Sequence, residues 1–258
     1  MNNAIHAMYD DLSTDYDRFV NWTVRLAMEM PFIEQELRRV EAHRVLDVAC
    51  GTGMHGIALS QRGYDVVGAD VSPRMIAQAQ ANAAAADVAA RFVVAGFGEL
   101  RTKVGSGFDA LLCLGNSLPH LLTAGALETT LVDFASCLRF GGLLLIQNRN
   151  FDRVLARRER WQEPQAHREG EQEWLFLRFY DFEPDGTLTF NLVTLRRKGA
   201  GKWEQRLAAT RLWPQRRDEL VAALQSTGFS KITCWGDMQG HPFDPESSSN
   251  LVIEGRRE

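Results

Sequence analysis

Nine residues, Val45 to Gly53, read V-L-D-V-A-C-G-T-G and constrain the fold more than any other stretch of the 258-residue chain. An apolar strand running straight into a glycine turn, with a helical pattern behind it, marks a strand-turn-helix unit of an α/β sheet. Asp70 stands 19 residues beyond Gly51, where the next strand ends. Glycines let a ligand approach the backbone, and the following helix opens with free N–H groups. An acid ending the second strand can accept hydrogen bonds from two ribose hydroxyls. The arrangement suits a nucleoside.

Over residues 43–149 short apolar runs alternate with helical patterns, as in parallel-sheet proteins. His43 to Ala49, Tyr64 to Ala69, Arg91 to Ala95, Phe108 to Leu114 and Leu143 to Asn148 read as strands. Met54 to Gln61, Pro73 to Ala86 and Leu127 to Leu138 read as helices, the second opened by a Ser72 cap and Pro73 in its first turn. Right-handed crossovers between them give a doubly wound, Rossmann-like sheet with its ligand at the carboxyl ends of the first strands. Before this core, residues 9–41 carry a helical pattern interrupted only by Pro31, expected to pack over the site as a lid. After it, Gln172 to Phe182, Thr187 to Arg196 and a third run ending at Pro214 read as an antiparallel insert. These runs are joined by turns at Glu183-Pro184-Asp185-Gly186 and Gly199-Ala200-Gly201. A helix over Arg217 to Thr227, stopped by Gly228, then leads to strands near Phe229 to Trp235 and Asn250 to Glu254 that complete a seven-stranded sheet. The expected organisation is one domain over 1–258, with lid 1–42, core 43–152, insert 153–214 and the end of the core sheet 215–258.

With 29 basic and 33 acidic residues the net charge is −4, so no global field draws the chain onto nucleic acid or an anionic membrane. Arg153, Arg157 and Arg160 share a helical face, and Arg196-Arg197-Lys198 form a short run; both read as solvated surface. Cys50, Cys113, Cys137 and Cys234 are widely spaced without a C-x-x-C pair, which fits buried free thiols and predicts no metal site. The N-terminus lacks both a basic start and an apolar core, and no run of about 18 apolar residues occurs. A cytoplasmic protein without membrane contact is expected.

Gly51, Gly53 and Gly56 satisfy G-x-G-x-x-G, so a nicotinamide dinucleotide is one candidate ligand. Asp47, four residues before Gly51 within the strand, would repel a pyrophosphate, and no second mononucleotide half follows. An acid there suits a phosphate-free ligand carrying an ammonium group, a description that S-adenosylmethionine meets.

These residues resemble the first motif of class I S-adenosylmethionine-dependent methyltransferases, here D-x-A-x-G-x-G with Ala49 in place of the first glycine. Cys113-Leu114-Gly115-Asn116-Ser117, with His120 three residues on, is similar to the C-L-G-N-S-x-x-H-L segment of glycine N-methyltransferases. Asn148-Arg149-Asn150-Phe151-Asp152 is similar to their H-R-N-Y-D segment. The resemblance covers residues 9–152 and is loose beyond.

It implies a transferase that takes a methyl group from S-adenosylmethionine, leaves S-adenosylhomocysteine, and acts on a small-molecule amine such as glycine or sarcosine. Arg25 falls where that family pairs an arginine with the methionyl carboxylate, and Arg149 where it holds the acceptor carboxylate; Asn116 would orient the amine. Asp70 would take the ribose hydroxyls, with Gly51, Gly53, Val71 and Met75 as further cofactor-binding residues, while backbone at Ala49 and Leu114 would face the methionyl ammonium. Tyr9, Tyr16 and Trp22 are candidates to close around the sulfonium, or simple lid packing. His55 is expected to line the cofactor pocket, and His120 to make a polar contact or anchor a loop.

Two departures stand out. Gly96-Phe97 replaces an acidic or amide residue followed by a bulky one, so Phe97 would stack on adenine with Glu99 or a backbone group as substitute partner. Thr210-Arg211-Leu212-Trp213-Pro214 lacks the family's tyrosines. Trp174, Phe176, Tyr180 and Phe182 share one strand face, as core or as the wall of a larger pocket. Alternatives left open are methyl transfer to the oxygen or nitrogen of a larger metabolite, nucleic-acid methylation, a nicotinamide oxidoreductase, and a non-catalytic nucleotide-binding module. A homo-oligomer is compatible with all of these.

Overall fold

Runs that are apolar on both faces can be buried only with helices above and below them, and four such runs lie side by side in the centre of a seven-stranded sheet. A computed structural model describes residue 10 and residues 15–258; Tyr9 lies outside the described residues. In chain order the elements are α1 (Tyr16–Phe19), α2 (Trp22–Arg39), β1 (Arg44–Val48), α3 (Met54–Ser60), β2 (Asp65–Asp70), α4 (Pro73–Ala85), β3 (Arg91–Val94), α5 (Leu100–Lys103) and β4 (Phe108–Cys113). A 3₁₀ turn (Leu118–His120) precedes α6 (Ala124–Cys137), β5 (Leu138–Arg149), α7 (Phe151–Arg157), β6 (Gln165–Glu169), β7 (Gln172–Phe182), β8 (Leu188–Lys198) and β9 (Glu204–Leu212). The chain then forms α8 (Arg217–Ser226), β10 (Phe229–Trp235) and β11 (Asn250–Arg257).

The first sheet has the order β3-β2-β1-β4-β5-β11-β10, with β11 antiparallel to both neighbours, and β6-β7-β8-β9 form a second, antiparallel sheet. Strand order reverses between β1 and β4, which opens a crevice at their carboxyl ends. Alternation along β1 divides the core. Leu46 and Val48 pack with Leu131 and Phe134 of α6 and Leu220 and Leu224 of α8 on one face. Val45 packs with Ile33 and Leu37 of α2 and Leu59 of α3 on the other. Each of these fully buried side chains contributes roughly 1.5–3 kcal/mol of transfer free energy.

Local signals set the helix starts. Ser72 accepts the Met75 N–H at 3.1 Å with Pro73 in the first turn of α4, and Thr123 accepts the Ala126 N–H at 3.2 Å to open α6. The N-terminal helical segment breaks after Val20, not at Pro31 as the pattern suggested. Asn21 caps a new helix by accepting the Val24 N–H at 3.2 Å, and Pro31 lies inside α2. Pro31 removes one helical donor, and Ala27, whose carbonyl loses it, is exposed to water.

Strand β5 begins at Leu138, five residues before the expected Leu143, because Gly141 (φ 73°) and Gly142 allow a bulge between the Phe108↔Leu138 and Ala110↔Leu143 pairs. Strand β11 continues past Glu254 to Arg257, and β6 adds a strand the pattern did not announce. Arg153 and Arg157 lie on α7, but Arg160 falls beyond its end, so the three do not form one helical face. Among the described residues no helix is long and apolar enough to cross a membrane.

Candidate active site

The backbone at the end of β1 is bent by three left-handed residues, Ala49 (φ 53°), Gly51 (φ 55°) and Gly53 (φ 79°). Alanine at φ 53° costs on the order of 1–2 kcal/mol, a strain held by the strand and helix on either side. A Cβ on Gly51 would stand 3.6 Å from the Tyr16 ring, so α1 closes over the turn at that point. Gly53 answers to packing instead, since a Cβ there would lie 2.7 Å from Phe92 and 2.9 Å from Ala79.

Asp70 accepts the Gly51 N–H through Oδ2 and the Ser72 N–H through Oδ1, both at 2.9 Å. Burial raises its carboxyl above the ordinary value against those donors. Asp47 is buried beneath the same turn, its Oδ2 without a hydrogen-bond partner, and burial together with the Asp70 charge pushes it up to about 7.

Above the turn lies an open cleft of about 750 Å³. It brings together Tyr16, Ala49, Gly51, Asp70, Val71, Met75, Gly96, Phe97, Leu114 and His120, all named from sequence, and adds Ala95, Gly115, Ser117 and Leu121. Phe97 is held edge-on by Phe134 at 5.5 Å. Glu99 accepts the Gly96 N–H at 3.2 Å and pairs with Lys103 at 2.9 Å. Burial lowers the His120 imidazole to about 4, so it is neutral at pH 7.

Trp22, Asp47, Gly53 and His55 do not line this cleft. The Trp22 indole donates to Asp17 at 2.8 Å and meets His55 edge-on at 5.4 Å, behind the cleft wall. Asp17 also accepts Thr52 Oγ1 at 2.6 Å and Asn82 Nδ2 at 3.2 Å, which fastens α1 to the glycine turn.

Arg25 opens onto a second cleft of about 990 Å³, which shares Tyr16, Gly115 and His120 with the first. Its guanidinium donates to Glu29 at 3.0 Å and to Gln147 at 3.2 Å and lies over the Trp22 ring. Glu29 in turn receives His55 Nε2 at 2.7 Å and Gln147 Nε2 at 2.9 Å. A carboxylate only accepts, so Nε2 carries the His55 proton. Burial pulls His55 below its ordinary value and keeps it neutral at pH 7. Burial alone would raise Glu29, but the His55 hydrogen bond and the Arg25 charge outweigh it and hold the carboxyl at about 2.

Sequence reading missed Glu29 and Gln147. The available signals were an acid one helical turn after Arg25, and a polar residue ending an apolar strand.

Asn116 and Arg149 meet at the floor of the second cleft. Asn116, at φ 71°, accepts the Arg149 N–H through Oδ1 at 2.9 Å and donates its own N–H to the Gln147 carbonyl at 2.9 Å. Its Oδ1 retains a second lone pair. The Arg149 guanidinium faces Tyr180, whose hydroxyl burial has raised above its ordinary value against the Arg149 and Arg178 charges. Arg178 of β7 lines the same cleft, its guanidinium lowered by burial and then by the Arg149 charge. Trp174 and Phe176 of the aromatic face pack as core, whereas Tyr180 is both core and cleft wall.

The donor set fits S-adenosylmethionine. Asp70 offers carboxylate acceptors beside the glycine turn, Asp47 leaves an unpartnered buried oxygen beneath it, Arg25 is within reach of a carboxylate, and Val71, Met75 and Phe97 form an apolar wall. Among the described residues the first cleft has no lysine or arginine to receive a pyrophosphate.

Fold and cleft together define a class I S-adenosylmethionine-dependent methyltransferase, and a methyltransferase-domain family matches residues 45–142. A solved S-adenosylmethionine-dependent methyltransferase from Clostridium acetobutylicum superposes with a TM-score of 0.79 over 96% of this chain and 98% of its own, at 14% identity. A glycine/sarcosine N-methyltransferase of Aphanothece halophytica is 31% identical over 90% of this chain and 83% of its own length. The glycine/sarcosine N-methyltransferase of Parasynechococcus marenigrum is 38% identical over 57% of this chain, a match that spans about half (52%) of that enzyme. The chain belongs to the family of the glycine and sarcosine N-methyltransferases.

Proposed function

We propose that this enzyme transfers the methyl group of S-adenosylmethionine to the amine of a small amino acid, glycine or sarcosine, the substrates in its relatives' names. The observation that carries the proposal is the Arg149 guanidinium, which has a neutral partner in Tyr180 and lies in a cleft joined to the cofactor cleft through Tyr16, Gly115 and His120. A carboxylate on Arg149 leaves the amine of the same small molecule facing the shared wall, with Asn116 as acceptor for one amine proton.

On the donor side Asp70 takes the ribose hydroxyls, Arg25 the methionyl carboxylate, and carbonyls around Ala49, Gly51 and Leu114 the ammonium. Tyr16 closes over the sulfonium, where a ring face attracts a cation by roughly 0.5–2 kcal/mol. Val71, Met75, Gly96 and Phe97 surround the base, and His120 borders the methyl path as a neutral group. Trp22, Asp47 and Gly53 act from behind by holding Arg25, the turn and the helix start.

When bound, the cofactor would supply an activated, sulfonium-borne methyl group for the amine that Arg149 and Asn116 orient. The residues then have to fix the line of approach, and orientation of this kind contributes on the order of 7–11 kcal/mol. The amine proton leaves to solvent.

The basic residues outside the clefts support a small acceptor over a nucleic acid, since Arg153 pairs with Glu159 at 3.0 Å, Arg160 with Asp181 at 2.7 Å and Arg197 with Glu173 at 2.7 Å. The four free cysteines are in keeping with a cytoplasmic enzyme.

Transfer of labelled methyl to glycine, sarcosine and a metabolite panel tests the proposal. Arg149→Gln is expected to raise KM for the amino acid by about 10- to 100-fold, the loss of a charge-assisted pair, with binding of S-adenosylhomocysteine unchanged. An unchanged KM refutes it.

A further inference from the structure

Most arginines near the second sheet have an acidic partner: Arg160 has Asp181, Arg197 has Glu173 and Arg211 has Asp185. Arg149 and Arg178 differ. Both line the 990 Å³ cleft, and the Nε of each is shielded from water without a hydrogen-bond partner. Their hydrogen-bonding contacts are neutral among the described residues, and the one acidic charge that acts on Arg178 is that of Glu163. Arg178 donates to the Glu163 carbonyl at 3.2 Å and lies 5.0 Å from the Phe19 ring, while Arg149 meets the Tyr180 hydroxyl. Among the described residues the one acid lining the cleft, Glu29, is committed to Arg25, His55 and Gln147.

Two like charges facing one half-buried cleft repel, and the Arg149 charge does lower Arg178. The Phe19 ring face offsets part of the Arg178 charge, and the pair is best satisfied by anions. A glycine carboxylate neutralises one guanidinium and fills a small part of the cleft. Arg178 would remain without an ion-pair partner among the described residues, offset only in part by the Glu163 charge.

We propose that Arg178 is a second anion-binding residue of the acceptor cleft, and that with Arg149 it fits the enzyme to amines bearing two anionic groups, amino dicarboxylates foremost. The inference deepens the function proposed above and rests on its reading of Arg149 as the holder of the acceptor carboxylate. The reaction is unchanged: the amine nitrogen gains the methyl, the C–S electron pair stays on sulfur, and a proton leaves to solvent. Arg178 adds a grip on the far end of the acceptor. Its side chain comes from β7, so this specificity is supplied by the second sheet, while Arg149 is supplied by the first.

The test measures kcat/KM for glycine, sarcosine, aspartate, iminodiacetate and O-phosphoserine, with calorimetry of the same compounds against enzyme loaded with S-adenosylhomocysteine. At least one dianionic amine is expected to exceed glycine by about tenfold or more, and carboxylate against phosphate distinguishes the second anion. Arg178→Gln should reduce that preference by about tenfold and change glycine turnover less than about threefold, with Arg178→Lys restoring part of the loss.

Turnover of glycine without turnover or binding of any dianion by the wild-type enzyme overturns this inference alone. So does an equal loss for glycine and dianion in Arg178→Gln. Silence toward every amino acid, with S-adenosylhomocysteine still bound, overturns the proposed function as well.

Discussion

Replacing Glu29 by glutamine removes one negative charge from a buried cluster and leaves its volume in place. Wild-type Glu29 receives His55 at 2.7 Å, Gln147 at 2.9 Å and Arg25 at 3.0 Å. Its carboxyl is held at about 2 against an ordinary 4.5, a preference of about 3 kcal/mol for the ionised form at 1.36 kcal/mol per unit. His55 is neutral at pH 7, so it contributes a hydrogen bond and no charge, which lowers the figure to about 2–3 kcal/mol. For a chain of this size Glu29→Gln should therefore lower Tm by about 5–10 °C at pH 7.

The pH dependence follows from the direction of the shift. The folded value lies below the unfolded one, so the stabilisation is complete above pH 4.5 and is lost as pH falls through 2. The variant lacks this titration, and its deficit should narrow steadily below pH 4.5, by over half near pH 3. Differential scanning calorimetry or urea unfolding of both proteins between pH 7 and 3 provides the measurement. A Tm at pH 7 within about 1 °C of wild type, or a deficit that does not shrink in acid, would refute the assignment of Glu29 as the anionic centre of the cluster.

Asp70→Ala should weaken S-adenosylhomocysteine binding by about 10- to 100-fold by calorimetry, from the loss of charge-assisted bonds to two hydroxyls. An unchanged Kd would remove Asp70 from the ribose site. Asp47→Asn tests the opposite sign of linkage. Asp47 titrates at about 7 in the folded state against an ordinary 3.8, so its ionisation costs stability increasingly as pH rises from 3.8 to 7. The asparagine should raise Tm by several degrees at pH 8 and leave it unchanged near pH 3.5; equal Tm values at pH 8 would show the carboxylate to be compensated.

The parallel core could be read from sequence because its signals are local: an apolar run, a glycine turn, a Ser72 cap and a Pro73 start all lie within a few residues of one another. Signals that act between elements could not be read this way. Pro31 is a stronger punctuation mark than Asn21, yet the helix breaks at Asn21, where a side-chain cap compensates the break. Trp22 has the residue type for a sulfonium wall, but Asp17, five residues earlier, draws the indole away. Strand β6 escaped notice because Q-A-H-R-E has no apolar alternation and exists through pairing with β7.

Arg178 shares strand parity with Trp174, Phe176, Tyr180 and Phe182, and a charge set within that aromatic face was the sign that part of it borders the second cleft. Glu29 and Gln147 lie 118 positions apart, and only the packing of α2 against the end of β5 makes them neighbours.

The strand ends that line the first cleft and the strand that carries Arg178 belong to separate sheets built from separate stretches of chain. Substitutions along β7, β8 and β9 can therefore retarget the enzyme while its methyl supply stays intact. Descendants of one ancestral donor module could diversify in this way by rewriting residues 165–212, leaving the glycine turn untouched.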